Sequence, residues 1–175
     1  DASRNKLEEV FARCMGAEAA LVRPQFMSGT HTLTVALFGL LRTGDTLLAA
    51  TGRPYDTLEG VIGIGDAGKG CGTLREFGVN YDECPLLPDF TPDYDLIAEK
   101  AKTATVVHIQ RSRGYTQRNA FDLATIQKVA DTARKANPDA VIFVDNCYGE
   151  FTRPHEPAYY GADVMIGSLI KNIGS

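Results

Sequence analysis

The stretch Val141-Ile142-Phe143-Val144-Asp145 decides the fold, because four apolar residues in a row end on an acid. An uninterrupted apolar run of this length is typical of a central strand in a parallel sheet, where both faces are covered. An amphipathic helix is predicted just before it, at residues 123–135, and another apolar strand just after it, at Val164–Ile166. A strand set between helices in this way indicates an α/β fold with a parallel sheet.

The same alternation extends through the rest of the chain. Further helices are predicted at residues 5–15, 30–41, 58–62 and 94–102, and further strands at 19–23, 46–50, 73–77 and 105–109. After the strand at Val164–Ile166 we expect no further helix or strand. This order predicts three layers, αβα, around a mostly parallel sheet.

Composition excludes several classes of protein. The 175 residues are 44% hydrophobic and 23% charged, which predicts one globular domain. A net charge of −4 and the lack of a long apolar run indicate neither nucleic-acid binding nor a membrane span. The four cysteines lack Cys-x-x-Cys spacing, so we expect reduced thiols, no metal site and a cytoplasmic location. Because the chain lacks an initiator Met and ends soon after a strand, we expect it to be part of a longer protein.

Small polar residues precede the long helix at residues 30–41. Ser28-Gly29-Thr30 would place hydroxyls and free N–H groups at a helix N-terminus, where an anion such as phosphate is favoured. The alternative is an ordinary helix cap. A glycine-rich segment at residues 63–70 also matches a phosphate-loop pattern. We interpret it as a plain glycine loop, because no strand precedes it and no helix follows it.

Three more side chains follow predicted strands. Asp145 ends the apolar strand and needs a partner if buried, or else serves as a turn or cap residue. Tyr55 follows the strand at residues 46–50, where its ring could stack on an aromatic cofactor or simply pack. Lys171 follows the last strand; it is either a solvated lysine or an amine nucleophile with a depressed pKa.

The carboxyl ends of parallel strands meet at one edge, so these residues are expected to converge there. Together they would supply a phosphate cradle, an aromatic ring, a carboxylate for a ring nitrogen and an amine for an aldehyde. Pyridoxal 5′-phosphate requires all four. The sequence therefore predicts a pyridoxal phosphate site.

A longer motif resembles a known family. The segment from Phe143 to Phe151, followed by Gly161-Ala162-Asp163 and by residues 167–172, resembles the fold-type I pyridoxal-phosphate enzymes. It is most similar to the aluminium-resistance, methionine gamma-lyase-like group, and residues 54–59 and 110–115 agree with that group. The resemblance implies that residues 1–175 are part of a transferase-like large domain. A small C-terminal domain, with the arginine for the substrate carboxylate, would lie outside this chain.

The resemblance also implies roles for single residues. Lys171 would bind the cofactor and later move protons, Asp145 would pair with the pyridine nitrogen, and Tyr55 would stack on the ring and act as acid or base. Gly29, Thr30 and Ser168 would hold the phosphate, with Ser28 beside them. Arg113 and Tyr115 would lie in a loop facing substrate or cofactor, and Ile173 stands where the family often has proline.

The activity implied is elimination at a carbon–sulfur bond of a sulfur amino acid, in a homodimer or homotetramer with shared active sites. An aminotransferase or aldolase activity remains open on these residues. So does a non-catalytic role in metal tolerance, although His31, His108 and His155 are scattered and show no metal-ligand spacing.

Overall fold

A parallel sheet forms the centre of the protein, of which the computed structural model describes residues 2–172. Its strands are β1 (Thr46–Ala49), β2 (Asn80–Glu83), β3 (Val106–Gln110), β4 (Val141–Asp145) and β5 (Val164–Ile166). They are ordered β2-β1-β3-β4-β5, and every pairing is parallel. The predicted α/β class with a parallel sheet is confirmed.

Helices cover both faces of this sheet. They are α1 (Ala2–Met15), α2 (Gly29–Leu40), α3 (Asp56–Ile62), α4 (Tyr94–Lys100), α5 (Leu123–Ala136) and α6 (Leu169–Asn172). One buried cluster joins α2 and α3 to the sheet through residues such as Leu37, Leu58 and Phe143. The other joins α4 and α5 to the opposite face through residues such as Ile97 and Ile142. The predicted three-layer arrangement is therefore present.

The alternation of side chains along β4 determines which face carries the polar end of the strand. Phe143 packs on the α2 side, whereas Ile142 and Val144 pack on the α5 side. Successive side chains of a strand point to opposite faces, so Asp145 shares the α2 side with Phe143.

The strand predicted at residues 19–23 is wrong, since this segment is a loop. The polar groups of this loop bind to α1 rather than to a neighbouring strand. The Glu8 carboxylate accepts a hydrogen bond from Val22 N at 3.0 Å and also forms an ion pair with Arg23. Leu21 remains 68% exposed, so the apolar stretch does not enter the core.

The strand predicted at residues 73–77 is also wrong. This segment is a series of turns, and the strand lies just beyond it at Asn80–Glu83. The Glu76 carboxylate accepts hydrogen bonds from the backbone N–H groups of Gly70, Gly72 and Thr73 at 2.6 to 3.0 Å. The amide groups of this glycine-rich segment thus bind an acid of the same chain.

The chain does form one more element after β5, contrary to the expectation from sequence. Helix α6 is a single short turn, and Lys171 N donates to Ser168 O at 3.2 Å within it. The expectation about Ile173 lies outside the described residues.

Cys14, Cys71, Cys84 and Cys147 all carry free thiols. Between residues 2 and 172, no helix combines the length and apolar character needed to cross a membrane.

Candidate active site

The carboxyl ends of β3, β4 and β5 form one continuous rim. Gln110 is paired with Asp145, and Asp145 with Ile166, in the register of the sheet. Beyond the paired residues, Asn146 N donates to Ile166 O at 2.8 Å. The loop after β1 joins this rim, because Tyr55 N donates to the side-chain oxygen of Gln110 at 3.0 Å.

Tyr55 and Thr30 meet above the rim. Tyr55 occupies the N-cap position of α3 and Thr30 lies in the first turn of α2, and their hydroxyls hydrogen bond at 3.0 Å. Burial raises the pKa of the Tyr55 hydroxyl, although its hydrogen bond to Thr30 opposes this; the Asp145 carboxylate raises the pKa further. Tyr55 therefore keeps its proton at neutral pH and lies within electrostatic range of Asp145.

The N-terminus of α2 reaches the same rim. A Cβ at Gly29 would lie 3.5 Å from Cys147 Sγ and 3.6 Å from Ser168 Cβ, so this glycine backs directly onto both residues. Ser28 caps this helix, since its hydroxyl accepts a hydrogen bond from His31 N at 3.1 Å. The structure thus shows Ser28 as the helix cap and places Gly29 beside Ser168.

Asp145 is almost fully buried at 2% exposure and accepts a hydrogen bond from Cys147 N at 3.0 Å. Cys147 lies between this carboxylate and Gly29. Burial raises the pKa of the Cys147 thiol well above its usual range, and the negative charge of Asp145 adds to the effect. The thiol is therefore protonated at neutral pH.

Lys171 is exposed, and its Nζ lies 4.4 Å from the centre of the Tyr148 ring. Burial lowers the pKa of Lys171, but the negative forms of Cys147, Tyr148 and Asp145 raise it by more, so the pKa lies above its usual value. The depressed pKa expected from sequence is wrong for this reason. Because Cys147 keeps its proton at neutral pH, Asp145 is the anion among these three that acts on Lys171.

A cavity of about 680 Å³ opens beside these residues. Cys147 and Tyr148 form part of its wall, and three guanidinium-bearing residues, Arg111, Arg113 and Arg153, line the rest with their neighbours. Arg113 thus lines the same cavity as Cys147 and Tyr148. Tyr115 is 89% exposed and does not line the cavity.

The groups gathered at the rim fit pyridoxal phosphate. The first N–H groups of α2, together with the hydroxyls of Thr30 and Ser168, form a donor set suited to a phosphate. A Cβ at Gly29 would fill the space in front of Cys147 and Ser168, which glycine leaves free. The buried carboxylate of Asp145 suits a protonated ring nitrogen, the Tyr55 ring suits an aromatic face, and Lys171 supplies an amine.

Sequence reasoning assigned no role to Gln110, Cys147, Tyr148 or Glu150. Gln110 could have been found, because it is a polar residue at the carboxyl end of an apolar strand directly beside Asp145. Cys147 and Tyr148 belong to the motif that carried the resemblance. Glu150 belongs to the same motif, but its contacts appear only in the folded chain.

The chain is similar to known proteins of one family. The family model described as methionine gamma-lyase matches residues 1–175. YnbB of Bacillus subtilis is 46% identical over 99% of this chain and 41% of its own length. The structure of a carbon–sulfur lyase involved in aluminium resistance from Clostridium novyi is 47% identical, with a TM-score of 0.93, over 99% of this chain and 41% of that one.

A Listeria monocytogenes structure, described as a suspected cystathionine beta-lyase involved in aluminium resistance, is 46% identical with a TM-score of 0.94. It aligns with 99% of this chain and 44% of its own. The chain therefore spans less than half the length of these relatives. The metB structure from Corynebacterium glutamicum, at 18% identity and a TM-score of 0.68, shares the fold.

Proposed function

The chain belongs to the methionine gamma-lyase family, and from this premise we propose that it is the cofactor-binding part of a pyridoxal-phosphate-dependent carbon–sulfur lyase. The substrate would be a small sulfur amino acid. Because the relatives are more than twice as long, the proposal places this chain in a polypeptide of their length, referred to below as the full-length protein. That protein would be a cytoplasmic homodimer or homotetramer with shared active sites and would bind neither nucleic acid nor membrane.

One observation carries the proposal: Lys171 and Asp145 lie within electrostatic range of each other at the rim where Tyr55 and Thr30 also meet. These residues come from four different segments of the chain. Pyridoxal phosphate has a ring nitrogen at one end, which suits a buried carboxylate. It has an aldehyde at the other end, which suits an amine.

Each residue has a distinct part in holding the cofactor. Asp145 would accept a hydrogen bond from the protonated ring nitrogen and so keep that proton on the ring, because an unpaired buried carboxylate is costly. Gly29, Thr30 and Ser168 would bind the phosphate at the N-terminus of α2. Tyr55 would cover one face of the ring, and Lys171 would bind the aldehyde carbon through its amine.

The cofactor, when bound, supplies an electron sink for the negative charge that develops at the α-carbon of an amino acid. Lys171 would act as the general base that removes the α-proton, since its amine lies beside Tyr148, which lines the cavity. Tyr55, which keeps its proton at neutral pH, would donate a proton to the departing sulfur. The arginines that line the cavity favour a substrate with a carboxylate.

The test uses the full-length protein incubated with pyridoxal phosphate, reduced with borohydride and digested for mass spectrometry. We expect a pyridoxyl label on Lys171 and no label in Lys171→Ala. Lys128 is a matched control, because its Nζ also lies on a tyrosine ring, 3.9 Å from the centre of the Tyr94 ring, but away from the site. Lys128→Ala should be labelled like the wild type. A full-length protein that never takes the label contradicts the proposal.

Product analysis with cystathionine, methionine and cysteine then identifies the reaction. A lyase releases a keto acid, ammonia and a sulfur-containing product from at least one of them. Transfer of the amino group to a second keto acid would indicate an aminotransferase instead, and cleavage of a β-hydroxy amino acid an aldolase. Labelling of Lys171 without turnover of any of these would indicate a non-catalytic member of the family.

A further inference from the structure

We propose that Glu150 is a positioning residue that fixes the turn carrying Lys171. Its side chain anchors the residue at the start of that turn, and its main chain anchors the residue at the end. The proposal rests on the proposed function only for what Lys171 does once it is in place. How Lys171 is held follows from contacts within this chain.

The first contact fixes the start of the turn. Glu150 is 2% exposed, and its Oε1 accepts a hydrogen bond from Ser168 N at 2.6 Å. Gly167 allows this close approach, because a Cβ there would lie 2.9 Å from Glu150 Cγ. The loop between β5 and α6 is therefore pressed against the side chain of Glu150.

The second contact fixes the end of the turn. Asn172 Nδ2 donates to the main-chain oxygen of Glu150 at 2.9 Å. Between the two contacts, Lys171 N donates to Ser168 O at 3.2 Å. The backbone of Lys171 is thus held on both sides by the same residue, with its amine directed to the Tyr148 ring.

Glu150 is in turn held firmly by its own loop. Phe151 N donates to Glu156 Oε1 at 2.6 Å, and Arg111 donates to Gly149 O at 3.0 Å. Tyr148 and Phe151 on either side of it have φ values of 68° and 57°, in the left-handed region that non-glycine residues rarely adopt. Such a conformation persists only where neighbouring contacts fix it.

The second carboxylate oxygen of Glu150 is not used in any other hydrogen bond within the described part of the chain. Glu150 Oε2 is buried and has no hydrogen-bond partner among residues 2–172. Burying a carboxylate is costly, and an apolar side chain would fill the space without that cost. The hydrogen bond to Ser168 is therefore what the acid contributes at this position. Burial also raises the pKa of Glu150, and Lys171 and Asp145 are the charged groups that face it.

The test compares Glu150→Ala and Glu150→Gln in the full-length protein freed of cofactor. Hydrogen exchange of the peptide that contains residues 167–172 reports the turn, and the pH profile of Lys171 labelling by an amine reagent reports its amine. We expect Glu150→Ala to speed exchange at Ser168 by about tenfold, the effect of one lost hydrogen bond, and to shift the labelling profile. Glu150→Gln keeps an acceptor oxygen and should restore both readouts towards the wild type.

Glu76→Ala is the matched control, because Glu76 also binds backbone N–H groups through its carboxylate. Its effect should be confined to residues 70–73. If Glu150→Ala does not fold, Gly167→Ala replaces it, since the added methyl group would push Glu150 away from Ser168. Unchanged exchange and labelling in Glu150→Ala, or a Glu150→Gln protein that behaves like Glu150→Ala, would overturn the proposal. Neither readout needs bound cofactor or turnover, so each proposal can fail without the other.

Discussion

Burial lowers the pKa of Lys171, and the Asp145 carboxylate is one of the groups that raise it. Asp145→Asn removes the charge but keeps an oxygen for Cys147 N. We therefore expect the pKa of Lys171 to fall, and amine labelling of Lys171 to begin at lower pH than in the wild type. The exposed Asp139 provides a control, and Asp139→Asn should leave the profile in place. An unchanged profile in Asp145→Asn would show that the two groups are not coupled.

His108 makes the fold sensitive to acid. Burial lowers the pKa of its imidazole from 6.5 to about 4, although Asp145 opposes this. The folded state therefore disfavours the proton that the unfolded chain accepts, so stability falls as pH drops through about 6.5 and the loss levels off below about 4. We expect the free energy of unfolding in urea to fall by about 2 kcal/mol from this residue between about pH 7.5 and about pH 5.

His108→Leu should flatten that slope. His155 is the control, because it is exposed and lies against the Tyr159 ring, 4.7 Å between centroids. His155→Leu should retain the wild-type acid dependence. Equal slopes in the wild type and His108→Leu would mean that other groups govern the loss.

Single residues could be predicted from sequence where their chemistry follows from position on a strand. Asp145 and Lys171 follow apolar strands, and parallel topology brings them to one rim. The raised pKa of Lys171 could not be predicted, because it depends on distances to Asp145 and Tyr148. The contacts of Glu150 could not be predicted either, since they depend on the path of a loop with two residues at positive φ.

Among the elements, the apolar strands were predicted well, including β5 at one edge of the sheet, whereas β2 at the other edge was not. β3 and β4 are buried along almost their whole length, and their bounds agree with the pattern to within a residue or so. β2 reads Asn-Tyr-Asp-Glu and pairs only with β1 among the described strands, so it carries no apolar signal. The pattern at residues 73–77 instead reflects Leu74, a buried residue within a turn.

The stability of α5 depends on its cap. Asp122 accepts a hydrogen bond from Thr125 N at 2.8 Å at the start of the helix. We expect Asp122→Ala to lower the free energy of unfolding by about 1 kcal/mol, the usual cost of losing an N-cap. Asp131 lies exposed within the same helix, and Asp131→Ala should cost nothing comparable. Equal denaturation midpoints for Asp122→Ala and the wild type would contradict this role.

At the scale of the whole molecule, we expect the full-length protein to self-associate. Leu7 and Val10 on α1 are 43% and 45% exposed, and Met27 is 80% exposed. Side chains of this kind become buried where two subunits meet. Light scattering coupled to gel filtration should give the mass of a dimer or tetramer, and a monomer at micromolar concentration would contradict the expectation.

The packing of Gly29 against Cys147 and Ser168 has a consequence for biosynthesis. Gly29 meets residues that the ribosome makes much later than α2 itself. These contacts of the α2 N-terminus therefore form only after synthesis has passed Ser168, and contacts between such distant segments form slowly. A chaperone that shields α2 until synthesis reaches β5 would raise the yield of competent protein.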